Sequence, residues 1–187
     1  MATPPVFSAG AVLTAAQMNA VGLWLIDEVS LTTITNNISN VFSSDFDNYR
    51  IVMSGLNNAS TTTRQISIRL RTSSDDTSAN YYGQIQFAYG AAISGFVSQN
   101  ATTSAELFSM SQSTPAGNSA TFDICGPQTA TLTTWYGQRW AYQSNVATFV
   151  AGTFWGCMNT STQYTGFSII GNTDNLSGTV RVYGYRK

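Results

Sequence analysis

From Tyr49 onward, apolar residues recur at every second position in short runs separated by turn clusters, and a chain patterned this way can bury its apolar side only by stacking sheets. In Ile66-Ser-Ile-Arg-Leu-Arg71, the residues Ile66, Ile68 and Leu70 point one way and Ser67, Arg69 and Arg71 the other. Comparable runs are Tyr49–Ser54, Tyr81–Tyr89, Glu106–Met110, Ala120–Cys125, Leu132–Tyr142, Ala147–Gly156, Gly166–Ile170 and Gly178–Tyr185. Segments such as Thr114-Pro-Ala-Gly-Asn118 and Gly171-Asn-Thr-Asp-Asn175 lie between them and favour turns, because Gly, Asn, Asp and Pro each relieve a different backbone restriction. No helical pattern is interleaved, so the expectation is an all-β, antiparallel β-sandwich, jelly-roll-like in having about eight or nine strands in two sheets.

The 187 residues suffice for one domain with a real core, and 43% of them are hydrophobic. Only 9% are charged, against about 25% in ordinary domains. The solvent-facing residues are therefore mainly Ser, Thr, Asn and Gln. A net charge of −1 with 12% aromatic residues is unlike a disordered chain, and it leaves little electrostatic repulsion between copies, which favours self-association. The eight basic residues are scattered and form no stripe for successive phosphates, so nucleic acid is not an expected partner. Leu23-Trp-Leu-Ile26 is far shorter than the ~20 residues of a membrane span, and no membrane insertion is expected.

The first 27 residues differ from the rest. An extended, proline-led stretch precedes Leu13-Thr-Ala-Ala-Gln-Met18, where Thr14 and Gln17 have capping-box spacing and Leu13 and Met18 that of a hydrophobic staple. A short α-helix is expected from Ala15 to Asp27, with Ala15, Met18, Val21 or Gly22, and Leu25 on one stripe and Trp24 beside it. That stripe needs cover, either from the chain's own β domain or from another subunit. The expected organisation is an N-terminal attachment arm and helix (1–27), a connector with at most one edge strand (28–47) and a β-sandwich domain (48–187).

The chain has no histidine, which removes Ser-His-Asp and Cys-His nucleophiles and imidazole-based zinc sites. Asp75-Asp76 is the conspicuous acidic pair, but it lies in a turn-like segment where Asp bonds its own backbone. Phosphate-cradling glycine motifs are absent from the sequence. No enzymatic activity, cofactor or metal is expected. Cys125 and Cys157 have no CxxC partner; two free thiols and one bridge both remain open. Trp135-Tyr-Gly-Gln-Arg-Trp140, with Trp155 downstream, allows three readings: core, intersubunit contact or a platform for neutral saccharide, with Trp135, Tyr136, Arg139, Trp140 and Trp155 as the candidate contact residues.

Val6-Phe-Ser-Ala-Gly-Ala-Val-Leu-Thr-Ala-Ala-Gln-Met-Asn19 resembles a phrase that opens tail-fibre, minor tail and head-fibre proteins of tailed bacteriophages. Asp47-Asn-Tyr-Arg-Ile-Val-Met-Ser54, Arg69-Leu-Arg71 followed by Asn80-Tyr-Tyr-Gly83, and Gly178-Thr-Val-Arg-Val-Tyr-Gly-Tyr185 are similar to the β domain such proteins carry. The resemblance implies a virion structural protein assembled in the host cytoplasm and located on the tail or capsid surface. Its N-terminal arm would attach to other phage virion proteins through Val6, Phe7, Leu13, Met18, Val21, Trp24 and Leu25. Its β domain, usually as a homotrimer, would face outward, and a host-surface glycan is the partner that the saccharide reading of the aromatic cluster would add. A capsid decoration (cement) protein stabilising the head is the alternative.

Overall fold

A computed structural model of the chain describes residues 10, 12, 22–89, 92–114 and 117–185. Twelve strands form among them: β1 (Leu23–Leu31), β2 (Thr35–Ile38), β3 (Asn48–Asn58), β4 (Arg64–Arg71), β5 (Tyr81–Tyr89), β6 (Ala92–Thr102), β7 (Ala105–Met110), β8 (Asn118–Cys125), β9 (Thr133–Gln143), β10 (Thr148–Met158), β11 (Gly166–Gly171) and β12 (Leu176–Tyr185). An eight-stranded antiparallel sheet in the order β1-β12-β3-β8-β9-β10-β5-β6 stacks on a four-stranded one in the order β2-β11-β4-β7. The antiparallel sandwich is as expected. The jelly-roll likeness is met only in that coarser sense, because the sheets are unequal and β8, β9 and β10 lie side by side as a meander.

The helix expected over Ala15–Asp27 is overturned where the chain is described, since Leu23–Asp27 belong to strand β1, paired antiparallel with β12. The register of that pair shifts between Leu25 and Asp27, which places an extra residue there. A bulge reverses the side to which later residues point. Trp24 and Ile26 pack against the core before it, and Val29 and Leu31 do so after it. The inward set is therefore Trp24, Ile26, Val29 and Leu31, whereas Leu25, placed on the expected helical stripe, points to solvent. Residues 15–21 of the expected helix, with the attachment candidates Val6, Phe7, Leu13, Met18 and Val21, lie outside the described residues.

Strand β1 runs across the expected boundary between arm and connector. Within 28–47, β2 forms an edge of the small sheet against β11, and Val41, Phe42 and Phe46 are buried in the core. The Tyr49 hydroxyl ties this segment down by accepting from the Ser43 amide at 2.7 Å and donating to the Ser43 carbonyl at 2.8 Å.

The large sheet packs its inner face by setting aromatic rings across glycines on neighbouring strands. Trp135 on β9 is paired with Gly156 on β10, and a Cβ at Gly156 would lie 2.7 Å from the indole. Gly137 lies between Phe122 and Phe154, whose rings meet edge-on at 5.6 Å over the vacant position. Phe87 covers Gly95, and Phe46 covers Gly184. Each ring thus occupies space that a neighbour's side chain would otherwise fill, and interior density is reached without widening the 4.7–4.9 Å strand spacing. Bulges at Gly55 (φ +59°) and Gly178 (φ +120°) face each other across β3 and β12, in backbone conformations that favour glycine.

Strand β7 ends the small sheet beneath β9, β10, β5 and β6, and side chains from the large sheet satisfy its edge. Gln99 pairs with the backbone of Glu106 in both directions, accepting from its amide at 2.7 Å and donating to its carbonyl at 3.0 Å. The Ser109 carbonyl accepts from Arg139 Nη1 at 3.2 Å and from Gln143 Nε2 at 3.0 Å. The inner side of the overhanging sheet is thereby joined to the edge strand beneath it.

Gly137→Ala tests the ring-over-glycine packing, because its Cβ would lie 2.2 Å from Phe122 Cβ and 2.5 Å from the Thr121 carbonyl oxygen. The expected cost is ~2 kcal/mol of overpacking, read as a lower urea midpoint with an unchanged slope.

Candidate functional site

Alternation along β9 divides the aromatic cluster expected from the sequence. Trp135 and Arg139 point inward and are buried, whereas Tyr136 and Trp140 point outward and are exposed. Arg139 is 5% exposed, with its guanidinium 5.7 Å from the Phe87 ring centre and its Nε without a partner among the described residues. Burial pushes its pKa down to about 10, opposed by the nearby Glu106 charge. Arg139 therefore belongs to the interior that caps β7. Leu25, expected in the attachment set, is exposed on β1, and Trp24 beside it packs partly on the core.

The outer face of the large sheet carries one continuous lateral row. Strand pairing places Arg50 opposite Asp123, Asp123 opposite Tyr136, Tyr136 opposite Trp155, and Trp155 opposite Gln84. Directly opposed side chains have Cβ atoms about 4.5–5.5 Å apart, so Tyr136 (56% exposed) and Trp155 (39% exposed) form a cross-strand aromatic pair on open surface. Trp140 lies four residues along β9 from Tyr136, roughly 13 Å away at strand rise, and instead stacks on Phe149 with ring centres 5.5 Å apart and planes 6° from parallel.

A groove of about 680 Å³ opens beside Tyr136 and Trp155. Tyr82 and Gln84 line it from β5 and Asn100 from β6, and Leu132, Thr134 and Cys157 complete the lining from the β9 and β10 side. A second concavity of about 420 Å³ lies on the other side of the same pair, against Arg50, Asp123, Gln138 and Thr153. The two aromatics thus form a wall shared by two hollows.

Asp123 holds this wall from behind. It is 4% exposed and accepts Nε and Nη2 of Arg50, each at 2.9 Å, and the Tyr185 hydroxyl at 2.7 Å, while Tyr136 stands opposite it on β9. Burial pushes the Asp123 carboxyl up, but hydrogen bonds from Arg50 and Tyr185 and the Arg50 charge outweigh it, so its pKa lies below the ordinary value. Burial, then the bond to Asp123, pushes the Tyr185 phenol up to about 12. The Tyr185 hydroxyl donates to a carboxylate that stays charged, which fixes its direction. Asp123, Gln84 and Asn100 escaped the sequence reading, because their closeness to Tyr136 and Trp155 arises from sheet order alone.

The acidic pair has structural partners. Asp75 accepts the Ser168 hydroxyl at 2.6 Å and lies 3.5 Å from buried Arg71. Asp76 accepts the Ser78 amide and hydroxyl and, at 2.7 Å, the hydroxyl of Tyr164. Both carboxylates serve the turn that closes β4.

Cys125 and Cys157 are both free and half-buried. Thr134 is paired with each, on opposite sides, so the cysteines lie two strand spacings apart, about 9.5 Å, beyond the ~7 Å limit for bridged Cα atoms.

No family model matches the chain, and no curated protein matches it. Among solved structures it is similar to the CBM2 module of the evolved Dit of Lactobacillus casei BL23 phage J-1, at 10% identity over 82% of this chain and 69% of that one, with a TM-score of 0.27. A likeness that distant carries no argument, and the groove is interpreted from its own geometry.

Asp123→Asn is expected to cost about 1–2 kcal/mol at pH 7, given a half-exposed Arg50 partner. The folded pKa lies below the unfolded value of about 3.9, so the contribution is complete above that value and is lost as pH falls through the folded pKa. Wild-type and variant urea midpoints should therefore converge below about pH 4. Thiol titration of the denatured, unreduced protein should count both cysteines.

Proposed function

We propose that this chain is a structural protein of a tailed-bacteriophage virion, of tail-fibre or fibre-head type, held to the particle by residues before Gly22 and presenting the outer face of its large sheet to the host surface. The sequence phrases at Val6–Asn19, Asp47–Ser54 and Gly178–Tyr185 supply the class. The observation that carries the orientation is the position of β1. It is the edge strand of the eight-stranded sheet, and the segment before Gly22 leads directly into it. The aromatic pair stands on β9 and β10, and β10 is five strand spacings from β1, roughly 24 Å. The end that tethers and the surface that meets a partner are thereby separated along one rigid sheet.

The neutral, amide- and hydroxyl-rich surface suits close packing of identical copies, and a homotrimer is the assembly this reading takes. The buried Phe42 and Phe46 bring 28–47 into the β domain, so this segment belongs to the body that the tether would hold.

Deletion of residues 1–21 leaves β1 intact. The truncated protein should keep its strand-rich circular dichroism and its urea midpoint while disappearing from purified particles. Incorporation at the wild-type level would overturn the tether assignment.

A further inference from the structure

We infer that the groove beside Tyr136 and Trp155 binds a short, uncharged oligosaccharide, with the aromatic pair as its stacking wall and Gln84 and Asn100 as its polar contacts. The inference takes its biological setting from the outward-facing reading above, although the groove's chemistry is argued independently of it.

Among the described residues no Asp, Glu, Lys or Arg lines the groove. Phosphate, sulfate and carboxylate groups would find no counter-charge there, and a cation would find no carboxylate. Arg50 and Asp123, in the adjoining hollow, neutralise each other by a two-point contact on the far side of the aromatic wall. The volume of about 680 Å³ falls within the range of small-ligand pockets and exceeds the needs of a single ion.

The lining sets aromatic faces beside amide groups, the two kinds of contact a pyranose needs. A sugar ring has an apolar C–H face and a rim of hydroxyls that both donate and accept. An exposed indole and phenol offer flat apolar area with a polar edge, and each carboxamide offers two N–H donors and an accepting oxygen. The side chains of Gln84 and Asn100 are exposed, unlike Gln99, whose amide is committed to the backbone of Glu106. Trp155 and Gln84 sit side by side on β10 and β5, so a ring stacked on the indole has an amide at its edge. A fully apolar ligand would leave those amides dehydrated and unpaired, a penalty that favours a hydroxylated ligand over a lipid chain.

The groove runs across the strands of a sheet whose position the ring-over-glycine packing fixes. Gly156 and Gly83 lie in adjacent strands beneath it, with Trp135 packed against Gly156 from the inside. The platform is therefore preformed, and binding requires little ordering of the backbone.

The test uses the purified full-length protein with maltotetraose, cellotetraose and β-1,4-galactotetraose as uncharged probes, and 3′-sialyllactose and a heparin tetrasaccharide as charged controls. Tryptophan fluorescence and calorimetry should show saturable binding of at least one uncharged probe and none of the charged controls. The bound sugar should slow alkylation of Cys157, which lines the groove. Trp155→Ala should weaken binding at least tenfold and Gln84→Ala several-fold, whereas Trp140→Ala, exposed but outside the groove, should leave it unchanged.

Failure of every uncharged probe to bind, tighter binding of a charged control, or equal binding by the Trp155 variant would overturn the inference. So would sedimentation showing that Trp155→Ala dissociates an oligomer, since the groove would then be a contact between copies. None of these outcomes alters the incorporation result for the truncated chain, so the tether and the ligand can fail separately.

Discussion

The large sheet depends on bulky rings lying over strand positions that have no side chain. Trp135 against Gly156, Phe122 and Phe154 around Gly137, and Phe87 on Gly95 fill the interior while the strands keep their hydrogen-bonding distance. A methyl group at these glycines meets a ring or a neighbouring carbonyl within 3 Å, so the packing leaves little room for adjustment. The consequence reaches the opposite face. With Trp135 held inward, Tyr136 must point outward, and with Phe154 and Gly156 inward, Trp155 stands beside it. The interior packing thus sets the exposed aromatic wall.

A second constraint follows from stacking eight strands on four. The inner face of β5 and β6 extends beyond the edge strand β7, whose backbone would otherwise be left unpaired. The Gln99 amide takes the place of a neighbouring strand for Glu106, and Arg139 and Gln143 share the Ser109 carbonyl. This use of Arg139 explains why an arginine in a conspicuous aromatic motif is absent from the surface groove. Its charge is retained in the interior at the cost of a lowered pKa and an unsatisfied Nε.

Strands with clean alternation were legible to within a few residues, as in Ile66–Arg71 and Tyr81–Tyr89, because burying one face imposes a period of two on the sequence itself. Strand β1 was not, because its bulge breaks that period and because the capping signals before it at Thr14 and Gln17 favoured a helix running on to Asp27. Strand β6 carries Gly95, Ser98, Gln99 and Asn100 and lacks the apolar repeat by which strands are recognised, since it is an edge strand covered on one side only in part. The aromatic cluster was visible as a cluster. Its division into a core half and a surface half follows from strand parity, but its completion by Asp123, Gln84 and Asn100 does not.

The sequence by itself determined that the described residues are all-β, where most strands lie, and that a neutral, amide- and hydroxyl-rich surface covers them, because side-chain alternation and composition are local properties. Only the tertiary structure decided that Tyr136 stands between Asp123 and Trp155, that Arg50 reaches a carboxylate 73 residues away, and that two cysteines in neighbouring phrases are too far apart to bridge. Sheet order and register arise from packing between segments distant along the chain, and such packing leaves no periodic trace in any one of them.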